Sequence, residues 1–364
     1  MDSAVDTNPR FCVEAPIVNE ELMRHSEPRG TALVTGAAGF MGAHLIRGLA
    51  QDFPGVRVVA LDDLSGGFRS NLPDDVELVE GSVTDASLVA RLFDERRFDY
   101  VYHLAAYAAE GLSHFIRRFN YTNNVIGSVN LINEAIRHES KCFVFTSSIA
   151  VYGAGQVPMR EDMVPVPEDP YGVAKYAVEL DLRAAHEMFG LDYVVFRPHN
   201  VYGEYQNIGD RYRNVVGIFM NQILRGEPLS VFGDGRQQRA FSYVGDIVPA
   251  IASAPFVAAA ANRVFNVGAD RPCTVLELAR TVSRMMGSPE HPIRHLAARN
   301  EVQVAYSDHS AAHHVFGEPE YTPLDEGLRR MAAWVTSVGA RKSPSFGDIE
   351  VERDLPPFWL EQGE

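Results

Sequence analysis

Tyr171 and Lys175, in the stretch "EDPYGVAKYAVEL", stand four residues apart, a spacing that puts both on one face of a helix. Asp169 is a good N-cap and Pro170 a good first helical residue, so the pair falls at the start of the helix they introduce. A lysine ammonium beside a phenol favours the phenolate. Helped in this way, a tyrosine of ordinary pKa, about 10, becomes a general base at neutral pH. Upstream, "FVFTSSIAVYG" ends a predicted strand on Ser147 and Ser148. Their hydroxyls suit a substrate oxygen beside the tyrosine; the plain alternative is that they cap the strand end.

A second cluster implies what the tyrosine would work with. "TGAAGFMGAHL", residues 35–45, has glycines at 36, 39 and 42, between an apolar run and an amphipathic one. At a strand-to-helix turn Gly36 permits the tight turn, Gly39 lets the backbone approach a pyrophosphate, and Gly42 lets the helix pack on the sheet. The free N–H groups of the helix start then hold the anion. Asp62 closes the next strand, where a carboxylate accepts hydrogen bonds from an adenosine ribose and repels a 2′-phosphate. That favours NAD over NADP, with Arg69 in "SGGFRS" the nearby charge that works against it.

These residues need a scaffold, and the pattern around them supplies one. "TALVTG", "VRVVALDD", "VELVEG", "DYVYHLAA", "KCFVFTSS" and "LDYVVFRP" read as strands. Helical stretches, "MGAHLIRGLAQD", "ASLVARLFDER", the region around "NNVIGSVNLINEAIRHE" and about Tyr171 to Met188, are interleaved with them. The alternation predicts an α/β fold, a doubly wound parallel sheet with helices on both faces. Beyond Asn200 the pattern loosens into a smaller lobe, with helices at "TVLELARTVSRMMG" and "LDEGLRRMAAWV" and a strand-like "RVFNVG". Residues 1–28 read as a polar tail with Pro9, Pro16 and Pro28.

Composition narrows the function. With 364 residues, 46% of them hydrophobic, the chain can bury a sizeable core. A net charge of −15 argues against nucleic acid as a partner, because a phosphate backbone needs a basic face. No apolar run approaches the roughly 20 residues that span a bilayer, and the first residues lack a basic, apolar leader, so the expected location is the cytoplasm with no membrane partner. Cys12, Cys142 and Cys273 are too few and too far apart for a disulfide framework or a zinc knuckle.

"TGAAGFMG", "LDDLSGG", "HLAA", "TSSIAVYG", "YGVAK", "RPHNVYG" and "GDGRQQRAFSYVGD" occur in an order that resembles the extended short-chain dehydrogenases/reductases of the NAD-dependent sugar epimerase/dehydratase group, most like UDP-glucose 4-epimerases. The resemblance runs from about Thr31 to about Trp334. It implies a Rossmann-type NAD-binding domain over residues 29–200. Residues 201–364 would form mainly the smaller nucleotide-sugar-binding lobe, with segments returning to the main sheet. Gly36, Gly39, Phe40, Met41, Gly42, Asp62, Ser82, Val83, Leu104, Ala105 and Ala106 would hold NAD. Ser148, Tyr171 and Lys175 would form the catalytic set, with Lys175 also on the nicotinamide ribose. Ser148, Asn200, Arg239 and Arg299 would contact the nucleotide sugar, the arginines through the fork of donors that suits a diphosphate. A homodimer, paired through helices around Asn124 to His138 and Tyr171 to Met188, is also implied.

The chain departs from its group at several places. "GSVTD" puts Ser82 where an acid near the adenine is common. Ala108 stands where 4-epimerases often have a lysine near the cofactor, and Glu110 reads as a loop carboxylate, with a compensating polar group the alternative. Counting back from Asp308, Ala305 falls beside the expected sugar C2 group, with room for an N-acetyl substituent. Ile149 and Ala150 occupy the places where similar 4,6-dehydratases have an Asp–Glu pair, so neither can move a proton. "SDHSAAHH" brings Asp308, His309, His313 and His314 together in sequence, a spacing that can ligate a metal. The resemblance makes it instead the start of a peripheral helix leading into "GLRRMAAWV", and no metal is expected. The expected activity is therefore a nucleotide-sugar 4-epimerase. A nucleotide-sugar 4-ketoreductase or dehydratase, and a silent binding protein on the same fold, are the alternatives.

Overall fold

Ala32, Leu33 and Val34 have no exposed surface, so the strand they form is buried on both faces, as a central parallel strand must be. The computed structural model describes residues 28–298, 302–342, 346–347 and 349–360; residues 1–27 of the expected tail, and Arg299, lie outside the described residues. The first elements are β1 (Gly30–Thr35), α1 (Phe40–Asp52), β2 (Val56–Asp62), β3 (Glu77–Glu80), α2 (Ala86–Arg96) and β4 (Tyr100–His103). They are followed by α3 (Arg117–Tyr121), α4 (Gly127–Arg137), β5 (Cys142–Thr146), α5 (Pro170–Phe189) and β6 (Tyr193–Pro198). Then come β7 (Val201–Tyr202), α6 (Val215–Leu224), β8 (Leu229–Phe232), β9 (Gln238–Ala240), β10 (Ser242–Tyr243), α7 (Val244–Ser253) and β11 (Arg263–Val267). The chain continues through β12 (Pro272–Thr274), α8 (Val275–Met285), β13 (Ile293–Leu296), β14 (Val304–Ala305), α9 (Ser310–Phe316), α10 (Leu324–Val338) and α11 (Pro357–Leu360).

Seven parallel strands form the main sheet in the order β11-β6-β5-β4-β1-β2-β3. Leu33 lies opposite both Val59 and Val101, which fixes the central register. Strand order reverses between β1 and β4, and that reversal opens a crevice at the carboxyl ends of the strands. Alternate residues feed the two faces. Ala32, Val34 and Val144 pack with α1 and α7, whereas Leu33, Phe143 and Phe145 pack with α2, α4 and α5. The first of these cores runs without a break into α6, α8 and α10, so the smaller lobe shares its hydrophobic core with one side of the sheet. β11, the "RVFNVG" strand, returns to the main sheet beside β6.

Two helices differ from the sequence reading. The long helix expected around "NNVIGSVNLINEAIRHE" is interrupted by a π-helical turn at Thr122–Ile126. There the Asn124 side chain leaves the helix surface to bond the Tyr107 backbone, accepting from its N–H at 2.9 Å and donating to its carbonyl at 3.2 Å. The "SDHSAAHH" segment forms α9 but does not run into α10, because Gly317 turns the chain at φ 85° and Pro323 precedes the next start.

Candidate active site

The crevice is a cavity of about 500 Å³. It is lined by every residue that the sequence reading assigned to cofactor, substrate or catalysis except Arg299, which lies outside the described residues. At its floor the three glycines have different reasons to be glycine. Gly36 has φ 67°, and a Cβ there would fall 2.6 Å from the Ala105 amide nitrogen; one on Gly42 would fall 2.3 Å from the Gly36 carbonyl. The fold itself requires those two. A Cβ on Gly39 would meet only the Gly36 oxygen, at 3.2 Å, and otherwise project into open space on a cavity-lining residue. Gly39 also receives the helix start without a side-chain cap, leaving the first amides of α1 for an anion. Asp62 stands beside this turn, its two oxygens accepting the Ala38 N–H at 2.9 Å and the Leu64 N–H at 2.7 Å. Burial raises its pKa and these amides counteract that rise. A carboxylate oriented in this way, next to a side-chain-free helix start, fits a dinucleotide.

Farther along the same wall, Ser82 is turned toward its own loop, its hydroxyl 2.9 Å from that of Thr84. Val83 packs against Gly127, where a Cβ would come within 2.6 Å of it. Leu104, Ala105 and Ala106 follow β4 and close the wall.

At the catalytic end the Asp169 carboxylate accepts the Gly172 N–H at 2.9 Å, and Pro170 opens α5, as their types imply. This places Tyr171 and Lys175 in the buried first turns, 8% and 3% exposed. Ser148 follows β5, accepts the Ala150 N–H at 3.1 Å and lies close enough to the Tyr171 phenol to oppose the rise of its pKa. The capping reading of this serine is met by its Ala150 bond. Ser147 is committed elsewhere, donating to the buried Glu179 at 2.5 Å. Lys175 is not on the phenol. Its Nζ donates to the Thr146 carbonyl at 2.8 Å and stands 5.8 Å from the Tyr171 ring centroid. Burial lowers Lys175 to about 7, against the pull of Glu179. Burial also pushes Tyr171 well above its ordinary value; Ser148 and the Arg213 charge act in the opposite sense, whereas Glu110 and Asp169 add to the rise.

On the facing wall Asn200, at φ 41°, donates to the Ala240 carbonyl at 3.3 Å. Arg239 donates to the carbonyls of Gln238 at 2.8 Å and Gln303 at 3.3 Å, and to that of Val302. One expectation comes out differently. Ala305 does not line the cavity. It is buried with Ile149, Val151, Tyr152 and Met159, so it cannot provide room beside a sugar. Asp308, His309, His313 and His314 diverge, and among the described residues no three metal-ligating side chains converge. His309 Nδ1 is 2.6 Å from Asp270 and its Nε2 is 3.0 Å from His199 Nε2, while His313 faces the Tyr321 hydroxyl at 2.7 Å. Sequence reasoning missed Tyr107, Arg211, Tyr212 and Arg213, which line the cavity from loops without periodicity. It also missed Phe358, which reaches the cavity from the C-terminal segment and packs 6.2 Å from Phe232.

A glycine turn at the switch point, a carboxylate beside it, and Ser148 next to the buried Tyr171 and Lys175 are the features of an enzyme that uses a nicotinamide dinucleotide. The model of the NAD dependent epimerase/dehydratase family matches residues 32–268, and this chain belongs to that family. It is 34% identical to the UDP-glucose 4-epimerase of Mycolicibacterium smegmatis over 82% of this chain and 96% of that protein. It is also 27% identical to the mouse dTDP-D-glucose 4,6-dehydratase, over 83% of this chain and 87% of that one. Among solved structures it resembles the Thermotoga maritima UDP-glucose 4-epimerase with UDP-glucose, at TM-score 0.78 and 33% identity, over 85% of this chain and 99% of the other.

Proposed function

We propose that this protein is a nucleotide-sugar 4-epimerase acting on a UDP-hexose or UDP-N-acetylhexosamine. The observation that carries the reading is the pair of residues next to Ser148, Ile149 and Ala150. Ile149 is buried in an apolar cluster, and neither residue reaches the cavity. A dehydratase or a 3,5-epimerase needs a group there, or nearby, that removes a carbon-bound proton, whereas epimerisation at C4 needs only a base for a hydroxyl. Bound NAD supplies the acceptor, and then the donor, of the C4 hydrogen. Ser148 positions the sugar O4, and Tyr171 takes its proton and later returns it. Lys175, its amine donating to the Thr146 carbonyl, would hold the nicotinamide ribose. Asn200 and Arg239 supply polar contacts for the nucleotide diphosphate. The similarity to UDP-sugar epimerases supports this substrate class, and we propose in addition that two chains pair through α4 and α5.

Turnover of UDP-sugars in heavy water tests the reaction type. The expected epimer carries no deuterium at C3, C4 or C5, and Tyr171→Phe lowers its formation by about a hundredfold or more while NAD binding survives. Enzyme-dependent deuterium at C3 or C5 rejects the reading and makes Glu110 the first base to replace. His199, the second candidate, is buried against the Ala240 carbonyl and His309, away from the cavity lining.

A further inference from the structure

The cavity wall on the cofactor side, from Gly36 to Asn123, contains Asp62, Asp63 and Glu110 but no lysine or arginine among its described lining residues. A dinucleotide brings two phosphate charges to that wall, and the α1 amides offer only partial charge. Arg213 enters from the opposite side. It ends the loop after β7, where Asn214 caps α6 by accepting the Val216 N–H at 2.9 Å and donates to the Val201 carbonyl at 2.6 Å. The Asn71 amide ties the same loop to the cofactor side through the Tyr205 carbonyl, at 3.0 Å.

From this anchored position the Arg213 guanidinium crosses the crevice. Its carbon lies 4.8 Å from the Tyr107 ring centroid. Its terminal nitrogens rest on Gly66, where a Cβ would fall 2.7 and 2.9 Å from them. Gly67, the next residue, abuts the glycine turn, where a Cβ would come within 2.6 Å of the Gly39 nitrogen. The charge also acts on the Tyr171 phenol. It therefore sits between the start of α1 and the catalytic tyrosine, the interval that the diphosphate and second ribose of a dinucleotide must cross. We infer that Arg213 is a cofactor-binding residue which clamps the NAD pyrophosphate from the smaller lobe, so that the dinucleotide is held between both walls. Its fork of donors suits a pyrophosphate, and Asp210 stands 2.9 Å from its Nε.

The inference rests on the cofactor and not on the 4-epimerase reading, so its failure would leave that reading untouched. The alternative role is a loop staple, in which the Asp210–Arg213 pair only fixes the loop. Calorimetry of the cofactor-stripped protein with NAD, ADP-ribose and adenosine separates the two. Arg213→Ala is expected to weaken NAD and ADP-ribose by about tenfold to a hundredfold, the range for a lost charged hydrogen bond, and to leave adenosine unchanged. Arg213→Lys should recover much of the loss. Asp210→Asn should keep or tighten NAD binding, because it frees the guanidinium charge. Arg213→Gln, which keeps the side-chain length, reads the same effect where the alanine variant does not fold. Unchanged NAD affinity in the Arg213 variants would overturn the inference, as would an equal loss for adenosine or an equal loss on Asp210→Asn.

Discussion

His103, at the end of β4, has no exposed surface, and its hydrogen bonds define its proton. The Ser128 hydroxyl donates to the Asn124 carbonyl at 2.9 Å, so at 2.8 Å from His103 Nε2 it acts as the acceptor. Nε2 therefore carries the hydrogen, and the Thr35 hydroxyl, 2.7 Å away, donates to Nδ1. A second ring proton would face a donor. Burial, with the Lys175 charge, lowers this histidine to about 3 from its ordinary 6.5. Below pH 6.5 the unfolded chain binds a proton that the folded ring refuses, so folding stability falls with falling pH from about 6.5 toward 3. The slope for one such group is about 1.4 kcal/mol per pH unit. Urea unfolding from pH 7.5 to 4.5 should show it, and His103→Asn should reduce the slope by that amount; an equal slope in the variant would refute the assignment. At the same scale, Ser147 and Ser148 are alike in sequence and differ only in what lies behind them. Glu179 binds the first, whereas the second caps its own turn through the Ala150 N–H.

Between elements, the catalytic helix is joined to the sheet by one buried polar network. Arg197 on β6 donates to Glu179 of α5 through Nε at 3.0 Å and Nη2 at 2.5 Å, and to the Tyr152 hydroxyl at 2.7 Å. Tyr152 in turn donates to Asn266 of β11 at 2.9 Å. Arg197 and Glu179 are 3% and 6% exposed, so each ion depends on the other for its solvation. Arg197→Ala should therefore cost about 3–5 kcal/mol, the range for leaving a buried charge unpaired. The double replacement Arg197→Met with Glu179→Leu should recover much of that loss in a denaturant titration. A single variant as stable as the parent would show that water already solvates the pair.

For the molecule as a whole, the outer face of α5 leaves Val173 and Leu180 40% and 37% exposed, seven residues apart and so on one side of the helix. Ile126, at the end of the π turn before α4, is 51% exposed. These apolar positions are the basis for proposing a dimer through α4 and α5. Sedimentation should report twice the 40.3 kDa chain mass, and the pair Val173→Asp and Leu180→Asp should halve it. A monomeric parent protein would reject the proposed pairing.

The main sheet, the glycine turn and the cap of α5 were legible in the sequence because they are set by neighbours: a two-residue or 3.6-residue period, a proline and an aspartate at a helix start. Chemistry that depends on what the fold brings alongside was not legible. Lys175 reads as the phenol's partner from its spacing, but the Thr146 carbonyl, distant in sequence, holds its amine. Ala305 reads as a pocket residue by its position relative to Asp308, yet it packs beneath the Ile149 turn. The π turn exists because Asn124 finds the Tyr107 backbone, and Arg213 reaches the cofactor wall because its loop is tied to Asn71. Local sequence therefore determined the elements and the kinds of residue at the site. Only the tertiary structure decided which groups meet, since burial and long-range hydrogen bonds, rather than spacing, set their charge and orientation.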